Sequence, residues 1–484
     1  MENDYDVVIV GAGISGINAA YRLQTQFPNL RYTMLEARQK LGGTWDFFKY
    51  PGLRSDSDLF TFGFEWHPWS QKNPIALAPD LLEYLDEAAT QHGIKEKIQF
   101  QHRLLGADWS SVDNAWSLSV EQDNNFGITA ISARFLVFGT GYYDYEKPLQ
   151  TKISGIENFQ GQVIHPQFWP EDVDYTDKKI VVIGSGSTAV TLLPSLAEKA
   201  DVTMLQRSPT YIISVPNRSG SWLTAMLPDT IQRKFLRLRY LYVSRLLYVF
   251  SQAFPTLMKW LIKKQVTSQL PDHIPFDPHF NPRYNPWDQR LCAAPDGDFF
   301  KSLRSGRATV KTDTIHQVTS SGITLDSGDI LDADIIITAT GLALCFGGGT
   351  SIAVDGVPIL ASEKYAWRGT MLQDMPNAAF LVGYINASWT PGADAASVLV
   401  CRLLKKIEEC GAKAVVPRLS PSEEDCMRSS RMMGLSSTYV VTADGVLPKA
   451  GDRGPWKARD NYFEDIKFAK SSNLEGLELL YGTK

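Results

Sequence analysis

Two glycine-rich turns, each set between a short apolar run and a helical pattern, constrain this chain more than any other feature. Tyr5-Asp6-Val7-Val8-Ile9-Val10 runs into Gly11-Ala12-Gly13-Ile14-Ser15-Gly16. Lys179-Ile180-Val181-Val182-Ile183 runs into Gly184-Ser185-Gly186-Ser187-Thr188-Ala189. Apolar, β-branched runs without alternation read as parallel strands buried on both faces. In such a turn the first glycine permits the bend and the second lets a pyrophosphate approach the backbone. The third, which Ala can replace, lets helix and strand pack closely. The free N–H groups at the helix start then face phosphate. Two such units predict an α/β chain with two Rossmann-like dinucleotide-binding domains.

The strand that follows each fingerprint points to the dinucleotide. After a helical pattern over 14–26, the run from Arg31 to Leu35 ends at Glu36, 20 residues past Gly16. That is the spacing for a carboxylate on a ribose hydroxyl. Leu41-Gly42-Gly43-Thr44-Trp45 follows, a Gly-Gly pair of the kind found at the second flavin contact of two-dinucleotide flavoproteins, so FAD is expected in the first site. A disulfide reductase would need a Cys pair near here, and no Cys precedes Cys292. In the second unit the strand Asp201–Leu205 leads into Gln206-Arg207-Ser208, a cation where an NAD site would place an acid. A guanidinium suits a 2′-phosphate through charge and paired donors, so NADPH is expected there.

A length of 484 residues predicts two or three domains. A net charge of −5 gives no reason to expect nucleic acid. Five cysteines without a C-x-x-C pair point to a reducing compartment and against a disulfide framework. No histidine spacing suggests a metal site. The first apolar run enters a turn at once and is no signal peptide, and no run of about 18 apolar residues is present. A cytoplasmic location is expected, with no obligate protein partner.

Residues 1–142 read as the first part of the FAD-binding domain, and 143–172 as a linker. Residues 173–342 read as the NADPH-binding domain, including a helical insertion over 216–284. Residues 343–484 complete the FAD domain, from a strand at Ala379–Tyr384, and line the substrate pocket. Phe138-Gly139-Thr140-Gly141 and Thr338-Ala339-Thr340-Gly341 read as crossing points between the domains, where small residues let backbones pack near a cofactor. The insert from Ile231 to Lys264 mixes apolar residues with Arg233, Lys234, Arg237, Arg239, Arg245, Lys259, Lys263 and Lys264. One reading is a basic amphipathic pair of helices giving peripheral membrane contact. The favoured one is a cap over the substrate pocket with a solvated basic face, because charges interrupt the run and Pro255 breaks it.

Between the fingerprints lies Phe159-Gln160-Gly161-Gln162-Val163-Ile164-His165-Pro166-Gln167-Phe168-Trp169-Pro170. This segment resembles the fingerprint of the class B flavoprotein monooxygenases, specifically the type I Baeyer–Villiger group, at Phe159, Gly161, His165, Trp169 and Pro170. Gly42–Asp46, Tyr50–Asp58, Tyr284–Cys292 and Asn386–Thr390 are similar to the ethionamide-activating branch. The resemblance spans nearly the whole chain and weakens in the insert and after about residue 410.

The resemblance implies an NADPH-dependent enzyme that inserts one oxygen of O2 into ketones through a C4a-peroxyflavin, giving esters or lactones, and that also oxidises sulfides. The alternative is an oxygenase acting on N or S only, against which Trp169-Pro170 argues. A non-turnover flavin binder or electron-transfer reductase would show a broken site. The resemblance puts Gly11, Gly13, Ser15, Gly16, Glu36, Gly43, Thr44, Trp45, Asp46, Asp56 and Leu104 around FAD. It puts Arg54, Ser55, Asp56, Ile183, Gly184, Ser185, Gly186, Ser187, Thr188, Ala189, Arg207 and Ser208 around NADPH. Arg290 matches the active-site arginine, with Asp56 orienting it. Many Baeyer–Villiger enzymes carry Lys before that arginine and this chain has Gln289, which leaves the 2′-phosphate mainly to Arg207. His165 is expected to hydrogen-bond backbone and gate domain rotation, and Trp169 to pack.

Overall fold

In the computed structural model, which describes residues 3–122, 127–219, 226 and 228–481, Val7 and Ile9 enter one hydrophobic core and Val8 and Val10 another. Ile180 and Val182 likewise face one core while Val181 and Ile183 face the opposite one. Successive strand residues point to opposite faces, so a strand covered on both sides must be apolar throughout. Both runs predicted as strands form as such, at Tyr5–Val10 and Lys179–Ile183.

The first sheet places Ile98–Phe100, Tyr32–Glu36, Tyr5–Val10 and Gly127–Phe138 side by side and parallel. Gly127–Phe138 is long enough to serve two neighbours. Its first half pairs antiparallel with Ala115–Gln122, and its second half pairs with Tyr5–Val10. The second sheet orders Ala308–Thr312, Asp201–Gln206, Lys179–Ile183, Ile335–Thr338 and Gln162–Ile164, all parallel.

Three expectations are corrected. The chain returns to the first sheet already at Ser351–Val354, which pairs with His102–Ser110. The strand expected at Ala379–Tyr384 is only Ala378–Phe380, beside Leu136–Phe138. The segment read as linker is also not a free connection. Gln162–Ile164 is the edge strand of the second sheet, and Tyr143–Pro148 pairs with Leu342–Leu344.

The insert forms two helices, Asp229–Ala253 and Pro255–Thr267, with Pro255 opening the second, where a missing N–H costs nothing. Residues 220–225 and 227 of the insert lie outside the described residues. Leu236 packs into the first domain's core, and Met258, Ile262 and Val266 into the second's. No helix among the described residues is long and apolar enough to cross a membrane.

Candidate active site

The two fingerprints have the same construction. Gly11 donates its N–H to the Leu35 carbonyl at 2.7 Å, and Gly184 donates to that of Leu205 at 2.9 Å. Both have positive φ, 97° and 138°. A Cβ on Gly11 would lie 2.8 Å from the Gly139 carbonyl oxygen, and one on Gly184 2.2 Å from that of Ala339. The two crossing segments therefore occupy the same place in each domain. The helices that follow, Ile14–Gln26 and Ser187–Ala197, begin without a side-chain cap and without an acid in the first turn. Their leading N–H groups stay available for phosphate.

In the first site, Glu36 is buried at the end of its strand. Its carboxylate accepts the N–H of Ala12 at 2.8 Å and that of Arg38 at 3.0 Å. Burial pushes it above the usual carboxylate range, and those N–H donors and the Arg38 charge offset this in part. A carboxylate has about four acceptor positions, so two bonds leave room for ribose hydroxyls. Arg38 also fixes the Gly42–Asp46 loop, donating to the Gly43 carbonyl at 2.7 Å and to Asp46 at 3.1 Å. A Cβ on Gly43 would stand 3.1 Å from the Gly13 Cα. The bare backbones, the spare acceptors and a cavity of about 800 Å3 fit FAD.

That cavity extends from the first fingerprint to the second. Gly11, Gly13, Ser15, Glu36, Gly43, Thr44, Trp45 and Leu104 line it together with Arg54, Asp56, Ser187, Thr188 and Arg290. Gly16 and Asp46 stand behind the lining. A Cβ on Gly16 would fall 1.9 Å from the Gly11 carbonyl oxygen. Ser55 is buried, its hydroxyl accepting from Ala76 at 3.4 Å, and it does not line the cavity. Ile183, Gly184, Ser185, Gly186, Ala189, Arg207 and Ser208 also lie outside the lining. Ser185 donates to the Ser208 carbonyl at 2.9 Å, and Arg207 is exposed beside it, paired with no carboxylate among the described residues.

Residues 50–58 strap the first domain to the second. Burial raises the Tyr50 phenol to about 12, and its side chain bonds Thr188. Gly52 has φ of 75°, and a Cβ there would lie 2.2 Å from the Ser195 hydroxyl. Arg54 pairs with Asp298 on the helix Asp298–Arg304. Asp56 accepts from Arg290 at 2.9 Å.

Arg290 is 31% exposed, toward the cavity. Asp56 does most to hold it charged, against the pull of desolvation, and the phenols of Tyr142, Tyr143 and Tyr439 stand around it. Only its Nη2 makes a hydrogen bond among the described residues, which leaves the other donors free for a ligand. Trp287, three residues earlier, holds a positive φ of 74° and packs edge-on against Tyr248 of the insert. A bulky residue there costs about 1–2 kcal/mol, so surrounding contacts impose the turn that presents Arg290.

The fingerprint segment lies off the cavity. A Cβ on Gly161 would meet the Asp334 carbonyl oxygen at 2.4 Å and the Phe159 ring at 2.6 Å. His165 accepts the Gln167 N–H on Nδ1 at 3.2 Å. Its pKa is lowered by burial, which outweighs the influence of the nearby Gly341 backbone, and its Nε2 is buried with no hydrogen-bond partner among the described residues. Trp169 packs against the second core and Pro170 is exposed.

Sequence reasoning missed Tyr142, Tyr143, Tyr439 and Asp298. Tyr142-Tyr143 directly follows the crossing point at Gly141, a signal that could have marked them. Tyr439 comes from a distant C-terminal helix, Thr438–Val441, which no local pattern ties to Arg290.

Residues 4–348 match the flavin-binding monooxygenase-like family. A protein called FAD-containing monooxygenase EthA, from Mycobacterium tuberculosis, is 43% identical, with 98% of this chain and 97% of the relative covered. The EthA of Mycolicibacterium smegmatis is 44% identical over 100% and 98%. A probable FAD-binding monooxygenase AlmA of Acinetobacter baylyi is 43% identical over 98% and 95%. Among solved structures, OTEMO with FAD and NADP superposes with a TM-score of 0.75 at 20% identity, covering 99% of this chain and 100% of that one. ε-Caprolactone-bound cyclohexanone monooxygenase gives 0.74 at 18%, over 98% and 99%. The chain belongs to the flavin-binding monooxygenase-like family. The expected two-domain α/β fold and the reading as a flavin monooxygenase are borne out.

Proposed function

We propose that this chain is a Baeyer–Villiger monooxygenase that converts ketones to esters or lactones and also oxidises thioethers. FAD and NADP(H) are its cofactors. Bound flavin, reduced by NADPH, supplies the activated oxygen. The observation that carries the reading is the Asp56–Arg290 pair at a cavity onto which both fingerprints open.

Arg290 cannot give up its proton at any working pH, so it acts as a fixed cation and not as an acid. Its uncommitted donors can meet negative charge that develops on oxygen, and Asp56 sets the plane of the guanidinium. Preorganised donors of this kind contribute about 3–4 kcal/mol. Glu36 and the Arg38-held loop fix the adenosine end of FAD, and the uncapped helix at Ser187 receives NADPH phosphates. Ser185, Ser208 and Arg207 form the edge where a 2′-phosphate is read. Trp45, Phe62 and Trp389 wall the cavity with apolar surface, which excludes water from the reacting atoms.

The test is product analysis of FAD-loaded protein with NADPH on a simple ketone and a thioether. Ester or lactone from the ketone supports the reading. Sulfoxide with no ester from any ketone in a broad panel replaces it with a heteroatom oxygenase.

A further inference from the structure

The outward face of the insert is not the solvated basic face expected of a cap. Along the helix Asp229–Ala253, Ile231, Phe235, Leu238, Tyr242, Leu246 and Val249 recur at three- and four-residue steps, and all are exposed, Leu246 at 66% and Tyr242 at 55%. That is one continuous stripe of about 27 Å at 1.5 Å per residue. Phe254, Leu257 and Trp260 carry it round the corner onto the next helix. The opposite face is already committed. Leu236 and Ser251 are buried, and Arg237 donates to the carbonyls of Phe60 and Gly63 at 2.9 and 2.7 Å. Tyr242 also stacks on Phe463 at 4.7 Å and stays exposed, and the rest of the stripe remains after the helix has made these contacts; apolar patches of this extent mark interaction sites.

Charge selects the occupant. No Asp or Glu occurs from residue 230 to residue 271, in a chain of net charge −5. Lys234, Arg239, Lys263 and Lys264 stand exposed beside the stripe. A second copy docking through this face by twofold symmetry would set the same cations against themselves. Apolar side chains flanked by lysine and arginine, with Tyr and Trp among them, match an interface of headgroups over acyl chains. We propose that the two insert helices seat the enzyme on the surface of a bilayer of anionic phospholipid, stripe inward, without crossing it. The inference is independent of whether ketones are the substrates.

The experiment is co-sedimentation of FAD-loaded protein with vesicles of equal phosphatidylglycerol and phosphatidylcholine, and with pure phosphatidylcholine vesicles. Binding at least tenfold stronger to the anionic vesicles is expected. Leu238→Glu/Leu246→Glu should lower it at least tenfold. Lys234→Glu/Arg239→Glu, which leaves the stripe intact, should remove the preference for anionic lipid. FAD content and NADPH oxidation in solution serve as fold controls. Equal or absent binding to both vesicles overturns the proposal, as does binding untouched by either variant in folded protein. A dimer by light scattering that Leu238→Glu/Leu246→Glu dissociates, with no vesicle binding, would assign the face to a second copy.

Discussion

Arg207 and Asp58 give the most direct residue-scale tests. Arg207 is exposed at the end of the Asp201–Gln206 strand and has no carboxylate partner among the described residues. Arg207→Ala should raise KM for NADPH at least tenfold, about 1.4 kcal/mol, and leave KM for NADH within a factor of two. Steady-state kinetics with both coenzymes checks this, and an equal rise for both would deny Arg207 the 2′-phosphate. Asp58 caps the short helix Leu59–Phe62, and burial pushes its carboxyl up to about 6 from 3.8. A raised carboxyl favours the folded state below about pH 4 and loses that contribution as pH climbs through 6. Asp58→Asn keeps a capping oxygen. Its thermal midpoint should gain on the wild type between pH 4 and pH 7, by an amount that corresponds to at most about 3 kcal/mol. A constant gap between the two proteins would mean Asp58 does not titrate in this window.

At the scale of elements, what was legible followed from burial on both sides. The strand–turn–helix units could be read because a doubly covered strand must be apolar and the turn needs bare backbone, and the helix expected over 14–26 forms at Ile14–Gln26. The third fingerprint position shows how tight that turn is. Ala189 fits in the second unit, whereas a Cβ on Gly16 would collide with the Gly11 carbonyl. Gly16→Ala should therefore yield protein that loses most of its flavin, measured as FAD absorbance per chain, and full occupancy would show that the helix can shift. The C-terminal part was less legible. The run from Ala379 looks like one strand, yet only Ala378–Phe380 finds a partner. After Leu381 no strand pairing continues: a Cβ on Gly383 would strike Trp389 at 2.4 Å, and the chain bends at residues 385–387. The face that the insert leaves exposed was illegible for another reason. Apolar residues cover both faces of its long helix, and a sequence period cannot say which face the rest of the fold will cover.

At the scale of the whole molecule, the proposed active site lies where the two dinucleotide-binding units meet. Tyr50, Gly52, Arg54 and Asp56 leave the first domain, and each meets a residue of the second. The insert packs into both cores, so domain motion must carry this strap and the helices with it. We propose that Arg290, supplied by the second domain and oriented by Asp56 of the first, couples NADPH oxidation on the bound flavin to oxygen transfer by meeting the negative charge that develops on oxygen. The direct measurement is the ratio of 18O-labelled product to NADPH consumed under 18O2, for wild type and Arg290→Ala on the same substrate. The account predicts a ratio near one with a single labelled oxygen for the wild type. It predicts a fall of about 10²–10³-fold in product rate for Arg290→Ala, while NADPH is still consumed and hydrogen peroxide is released. Coupled, labelled product from Arg290→Ala at a near-wild-type rate would contradict the account.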